Sequence, residues 1–477
     1  MEYDVIIIGA GVIGCSIARA LSRYELKVAV LEQGYDVALG SSRANSGIVH
    51  AGFDAAPGSK KALFNVRGNA MFDRLAQELE FPFSRCGSLV LAFSEEDIEK
   101  LFALKEQGEE NDVEGLRVIL REELLSLEPN IGDEAVAALY APTGGIVCPY
   151  EMTIALFENA VQNGVEFHFA HKVTGLVRQA DGFKVTTGAG EFHGRYVINA
   201  AGLFADELHN MLCKPEVKIL PRKGEYCLLD KMKLVTHTIF QLPTAMGKGI
   251  LVTPTVSGNV LLGPTATDIL DKADTDTTAE GLSQVLQKAA LSVKGLPTDK
   301  VIANFSGLRA NLLGQKDFFI SLTDGCIQLV GIESPGLTSA PAIGEHAAEM
   351  VLELTACKER ADFTPYRTKI PCFREMSDDE KNACIRRDSA YGEVICRCEQ
   401  VTKGEILEAI RRCPPTVTLD AVKRRTRTGM GRCQGSFCAM RMVRLIAKAC
   451  GIPVTDVTKY GGNSHIFTGL TKEGASC

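Results

Sequence analysis

Four cysteines near the carboxyl end form two close pairs, Cys396-x-Cys398 and Cys433-x4-Cys438, with thirty-four residues between them. Four thiolates so spaced can hold one zinc ion or one [2Fe–2S] cluster. Structural zinc sites use ligands about two to four residues apart within a pair. Here one pair is separated by one residue and the other by four. Two irons, each taking one pair, would tolerate that inequality, and on spacing alone both metals stand. At the other end of the chain, Gly9-x-Gly11-x-x-Gly14 follows the apolar run Val5–Ile8 and leads into a helical pattern at Ile17, Ala18 and Leu21. A second apolar run, Val28–Leu31, ends in Glu32. Gly9 allows the tight turn, Gly11 lets a pyrophosphate approach the backbone, and Gly14 lets helix and strand pack closely. The helix start offers unpaired N–H groups and a positive dipole end to phosphates. Glu32 is placed to accept from a ribose hydroxyl, which argues against a 2′-phosphate there.

Two further side chains suit the chemistry of an alcohol. The unperturbed pKa of a histidine lies near working pH, so His50 could act as a general base; in its tight small-residue segment it could equally bond backbone. Arg309 has a planar fork that matches a carboxylate or phosphate bidentately; a structural ion pair is the plain alternative. Lys223, Tyr226 and Lys248 are weaker candidates for the wall of a substrate site, and Glu333 reads as structural.

The elements that must position these groups are legible in outline. Strand, glycine turn, helix, strand and acid make a β-α-β unit at the start, the sign of an α/β doubly wound domain. The loop Gly40–Gly52 is small and polar, suited to close contact with a large cofactor through Ser41, Ser42, Asn45, Ser46 and Gly47. An amphipathic helix is expected over 62–80, a strand at 86–92, a charged helix at 95–112, a helix at 151–163 and a hairpin around Asp181-Gly182. Tyr196 to Gly202 reads as a buried strand ending at a ligand crevice. From about 215 to 305 short strands dominate (225–230, 249–252, 259–263), an antiparallel layer expected to roof the cofactor. A second strand–glycine–helix passage runs from Ile327 through Gly331 to a helix ending near Leu354, whose N-terminus could aim its dipole at an electron-rich ring. Residues 365–390 are polar and read as a boundary. Beyond them Thr402 with Glu405 forms a capping box, with further helices near 418–420 and after Cys438.

The chain has 477 residues, 45% hydrophobic and 23% charged, enough for two or three domains. A net charge of −7 gives no footprint for nucleic acid. No apolar run is long enough to span a membrane. A first strand starting at the chain's beginning, with no leader, leads us to expect a cytoplasmic protein, peripheral at a membrane only through a partner. Of sixteen cysteines, Cys15, Cys86, Cys148, Cys213, Cys227, Cys326 and Cys357 are scattered and expected as buried thiols. Cys384, Cys413, Cys450 and Cys477 lie nearer the two pairs but lack their spacing. Lys423, Arg424, Arg425, Arg427, Arg432, Arg441 and Arg444 make the end basic, suited to solvation, to hydrogen bonds with an anionic cluster, and to docking an acidic partner.

Residues 1 to about 360 resemble the FAD-dependent oxidoreductases of the D-amino-acid-oxidase superfamily, and within it the glycerol-3-phosphate and L-2-hydroxyglutarate dehydrogenases. Asn45 to Gly52 is similar to the family's flavin-facing loop, Gly307-Leu308-Arg309 to its substrate-anion segment, and Gly331 to Pro341 to its flavin-ring motif. The resemblance implies FAD contacts from Gly9, Gly11, Val12, Ile13, Gly14, Glu32, Gln33, Ser41, Ser42, Asn45, Ser46, Gly47, Val173, Ala201, Gly202, Gly307, Gly336, Leu337 and Thr338. It implies catalysis by His50 and Arg309, and substrate contacts from Lys223, Tyr226, Lys248 and Arg309. The end of the chain resembles bacterioferritin-associated-ferredoxin-like [2Fe–2S] domains, which implies Cys396, Cys398, Cys433 and Cys438 as cluster ligands.

The expected architecture is an α/β Rossmann-like FAD-binding domain (1–80, 145–210, 305–360) with an inserted antiparallel α+β substrate domain (81–144, 211–304). A linker (361–390) and a small helical [2Fe–2S] domain (391–477) follow. Both cofactors on one chain imply a dehydrogenase that passes electrons onward to a protein acceptor. The expected reaction is oxidation of sn-glycerol 3-phosphate to dihydroxyacetone phosphate. Oxidation of a small 2-hydroxy acid such as L-2-hydroxyglutarate is the alternative, since Arg309 would hold either anion. An electron-relay subunit without its own substrate, and a zinc-stabilised assembly protein, are the readings from other classes.

Overall fold

The computed structural model describes residues 2–243, 249–412, 414 and 417–469. They divide into two units: Met1–Gln33 with Val37–Arg367, and Gly34–Asp36 with Thr368–Cys477.

The first unit is built on a parallel sheet. Glu2–Ile8 lies between Val28–Leu31 and Gly190–Asn199, all parallel. Glu166–His168 and Cys326–Val330 extend it on the two sides, and Phe319–Thr323 adds an antiparallel edge. The hairpin Val173–Gln179/Gly182–Thr187 pairs with the first half of Gly190–Asn199. Ile6 and Ile8 pack on one face, with Phe183, Val185 and Phe192. Val5 and Ile7 pack on the other, with Ile17 of helix Val12–Leu21, Phe72 of Lys60–Leu79, Phe157 of Pro149–Gln162 and Ile343 of Gly336–Leu354. Burial on both faces explains why the first strand is a continuous apolar run rather than an alternating one.

A second sheet joins both expected substrate-domain segments. Its order runs through Thr267–Asp268, Ile219–Leu229, Val260–Gly263, Leu251–Pro254, Thr238–Gln241, Ser88–Ala92, Ala137–Ala141 and Arg117–Leu120, and Val301–Leu312 also pairs with Ile219–Leu229. It is antiparallel apart from the pairing of Thr238–Gln241 with Ser88–Ala92. Helix Ala279–Ser292 interrupts the expected run of strands. Its Thr278 cap and the buried Val285 and Ala289 pack it against Leu229, Val252 and Leu262.

The second unit contains the hairpin Val394–Cys396/Val401–Thr402 and helices Lys403–Arg411, Leu419–Thr426 and Ala439–Cys450. Thr402 and Glu405 form the capping box expected from the sequence. Ile395, Ile406, Ile410, Val422, Val443 and Ile446 make its core. The stretch expected as linker carries helix Asp378–Arg387, started by a capping box of Ser377 and Glu380. Only Cys384 of that helix is buried, so its composition reads as loop although its cap does not. Asp36, next to the Tyr35 ring that fills the space beside Gly461, is buried and bonded to Arg424 at 2.6 Å and Arg425 at 2.8 Å.

Candidate active site and thiolate cage

The glycine turn has the crowding that its residue types require. Gly9 adopts φ 108°, and a Cβ there would lie 2.5 Å from the Ala200 carbonyl oxygen. A Cβ on Gly14 would lie 1.9 Å from the Gly9 oxygen. Helix Val12–Leu21 starts at Gly11 without a side-chain cap, which suits an anion at its first turn. Ser42 Oγ accepts from the Val12 N–H at 2.9 Å. Glu32 Oε2 accepts from the Ala10 N–H at 2.8 Å, which fixes the acid at the end of the second strand. Cradle, helix start and oriented acid fit the adenosine diphosphate part of FAD. Ala201 and Gly202 follow the neighbouring strand end, with the Ala200 N–H bonded to Ile8 O. Val173 begins the hairpin, and Gln33 is exposed just past Glu32.

The loop Ser41–Gly52 is held by its own small side chains. Asn45 donates to Ser41 O and accepts from the Gly47 N–H. Ser41 Oγ donates to Leu308 O at 2.5 Å. A Cβ on Gly307 would lie 1.9 Å from Ala44 O, so the strand Val301–Leu312 runs against this loop. Thr338, in the first turn of Gly336–Leu354, accepts from the His50 N–H at 2.9 Å and donates to Ile48 O. Asn65 and Asn69 donate to His50 O. The backbone of His50 is thus fixed on both sides, while its ring meets Ser334 Oγ at 3.5 Å and the Phe240 ring at 5.9 Å.

Strand alternation sorts the wall residues. Arg222 pairs directly with Arg309, Gly224 with Gly307, and Tyr226 with Phe305, so these six share one face. On that face Tyr226 stacks on Phe305 and its hydroxyl lies 3.4 Å from Ser46 Oγ. Among the described residues the Arg309 guanidinium makes one long contact, 3.5 Å to Thr265 O. Arg222 is held by Asp268 at 2.7 Å and 3.1 Å; that bond, with burial opposing, raises its pKa. Lys223 belongs to the opposite face. It is buried and bonded to Asp274 at 2.6 Å and Asp276 O at 3.0 Å, so it leaves the substrate wall. Arg222 stands on the same strand face as Gly224 and Tyr226, at i, i+2, i+4 spacing. Glu333 pairs with Lys61 at 2.9 Å. Lys248 lies outside the described residues, as do Cys413 and Cys477.

In the second unit the four cysteines converge, but the thiol pairs run across the two segments. Cys398 donates to Cys433 at 3.4 Å, and Cys438 donates to Cys396. That bond, reinforced by the Gly429 and Glu399 N–H groups, lowers the Cys396 pKa to about 6. It raises that of Cys438. Cys433 accepts from the Gly435 and Phe437 N–H groups. Among the described residues no group of three or more His, Cys, Asp or Glu surrounds a single metal-ion position. Two pairs of sulfurs with backbone N–H donors fit the two irons of a [2Fe–2S] cluster, whose potential such hydrogen bonds tune. The close thiol contacts thus each join one cysteine of the first pair to one of the second. Gly431 lies close beside the Cys398 contact: a Cβ there would lie 2.4 Å from Cys398 Cβ. Glu399 is buried between Arg374 at 2.7 Å and Arg427 at 3.1 Å, which anchors the Cys396–Cys398 loop.

Comparison with known proteins matches residues 4–350 to the family described as FAD dependent oxidoreductase, and residues 394–448 to the BFD-like [2Fe-2S] binding domain. The chain is 48% identical to a glycerol 3-phosphate dehydrogenase of Caloramator mitchellensis, over 98% of this chain and 99% of that one. It is 31% identical to the human mitochondrial L-2-hydroxyglutarate dehydrogenase, over 56% of this chain and 61% of that one. Among solved structures, the dithionite-reduced L-α-glycerophosphate oxidase of Mycoplasma pneumoniae with FAD bound matches with a TM-score of 0.73 and 32% identity, covering 77% of this chain and 98% of that one.

Proposed function

The chain belongs to the FAD dependent oxidoreductase family, and from that premise we propose that it oxidises sn-glycerol 3-phosphate to dihydroxyacetone phosphate and passes the electrons through its [2Fe–2S] cluster to an acceptor protein. The observation that carries this reading is the likeness to a glycerol 3-phosphate dehydrogenase along nearly the whole of both chains, the cluster unit included. When bound, FAD supplies the hydride acceptor and the cluster a one-electron path outward.

The chain's own residues do the rest. Arg309, whose guanidinium spends little on its neighbours, holds the substrate phosphate. Tyr226 and Phe305 close the face beside it. His50 takes the hydroxyl proton, with its backbone pinned by Thr338 and its ring beside Ser334. The alcohol carbon then loses two electrons and a proton as a hydride, and the hydroxyl loses the second proton. We place the protein in the cytoplasm; the described cysteines form no disulfide. No helix among the described residues is long and apolar enough to cross a membrane.

Anaerobic addition of single substrates, followed by bleaching of the flavin band near ~450 nm, tests the proposal. Glycerol 3-phosphate should bleach it. Bleaching by L-2-hydroxyglutarate alone would transfer the reaction to 2-hydroxy acids, and bleaching by neither would leave an electron-relay subunit.

A further inference from the structure

Phe437 is 81% exposed and Met440 41% exposed. They stand on either side of Cys438, a candidate cluster ligand, at the start of helix Ala439–Cys450. Large apolar side chains beside a redox centre in water are the composition of an interface core, where aromatic residues and Met are enriched.

The sulfurs differ in depth. Cys396 and Cys438 are buried at 1% and 2% exposure, whereas Cys398 and Cys433 are only partly covered. The outer pair is bordered by Arg397 and Arg432, both exposed. Arg444, one turn after Met440 on the same helix, is exposed too. Residues 391–477 carry fourteen Lys and Arg against seven Asp and Glu, in a chain whose net charge is −7. Much of that positive charge is neutralised within the unit: Arg424 and Arg425 by Asp36, Arg427 by Glu399, Arg441 by Glu393. Arg397 and Arg444 have no acidic partner among the described residues. Arg397 immediately precedes the outer sulfur of Cys398, and Arg444 follows the exposed Met440 by one helical turn.

We propose that Arg397, Arg432, Phe437, Met440 and Arg444 form the docking surface for a small acidic one-electron carrier protein. The inference rests on the proposed electron-passing role of the cluster, and names the partner's chemistry and the face it uses. The step balances simply: the reduced cluster loses one electron and the carrier's own redox group gains it. Complementary charge at such a face raises the encounter rate and is screened by salt, while apolar contact is not.

The test uses the full-length, cluster-loaded and FAD-loaded protein, reduced with dithionite so that no substrate is needed. Flavodoxin serves as the acidic carrier and cytochrome c as the basic control, and both Kd and the electron-transfer rate are measured against NaCl concentration. The paired change Arg397→Glu with Arg444→Glu should weaken flavodoxin binding by ~10-fold or more at low salt, with the loss fading as salt rises. Phe437→Ser should weaken it at all salt concentrations. Flavin and cluster absorption spectra should match the parent protein. Unchanged affinity in all variants, or cytochrome c binding as tightly as flavodoxin, overturns the proposal. A substrate that fails to bleach the flavin defeats the proposed reaction but leaves this dithionite-driven result intact.

Discussion

Arg309 and Lys223 are both basic residues on neighbouring strands, and their surroundings differ. Among the described residues Arg309 has one long contact to a carbonyl, and it shares a face with Tyr226. Lys223 is buried in an ion pair with Asp274. Arg309→Met should therefore raise KM for the anionic substrate by ~10- to 100-fold, the equivalent of about 1.5–3 kcal/mol for a lost charged hydrogen bond. Lys223→Met should leave KM within a small factor and instead lower the unfolding midpoint in urea. A KM effect of equal size in both variants would show that strand alternation has been misassigned. His50→Gln keeps the backbone bonds to Thr338, Asn65 and Asn69 while removing a base. It should cost ~10²- to 10⁴-fold in kcat and flatten the acidic limb of the pH–rate profile, with FAD still bound. If that limb survives unchanged, another group takes the proton.

At the scale of elements, the active-site wall depends on how closely the strand Val301–Leu312 can approach the loop Ser41–Gly52. Gly307 meets Ala44 O with no room for a methyl group, and the Ser41 hydroxyl reaches Leu308 O alongside. Gly307→Ala forces one of these backbones to move. Overpacking of this kind costs about 1–3 kcal/mol, and here it also displaces the face that carries Arg309. The variant should lose FAD on dilution more readily than the parent and show a raised KM, both readable from flavin fluorescence and steady-state rates. Unchanged values in both measurements would mean that the loop yields freely. In the second unit the same kind of economy appears at Gly431, which brings its strand of backbone against Cys398.

At the scale of the whole molecule, the chain contributes to its second unit from two distant stretches, since Gly34–Asp36 belongs with Thr368–Cys477. Burial alone would raise the Asp36 pKa, but Arg425 and Arg424 outweigh it and hold the carboxyl at about 2. Its unfolded value lies near ~3.9. A carboxylate depressed on folding stabilises the fold above the unfolded value and loses that contribution as pH falls. The window is therefore about pH 4 down to about 2, and the contribution is about 2–3 kcal/mol. Asp36→Asn should be less stable than the parent at pH 6 in urea unfolding followed by circular dichroism. The gap should narrow as pH drops through that window. A gap that stays constant with pH would remove the ion pair as its cause.

What the amino-acid order determined by itself is what depends on residues a few positions apart. The glycine turn before Val12, the acid after Leu31, the capping box at Thr402 and the two cysteine pairs are all local patterns, each enforced by backbone sterics or by hydrogen bonds within one turn. Helix Asp378–Arg387 was equally local, but a cap without apolar residues behind it carries little weight in a pattern search. The tertiary structure decided matters of register and long-range approach. Only the pairing of Ile219–Leu229 with Val301–Leu312 sets Arg222 beside Arg309 and turns Lys223 away, because a shift of one residue would exchange every side chain between the two faces. Only folding sets Cys398 against Cys433 and Cys396 against Cys438, and closes Asp36 on Arg424 and Arg425. Those contacts join residues tens to hundreds of positions apart, and no periodicity along the chain records such a distance.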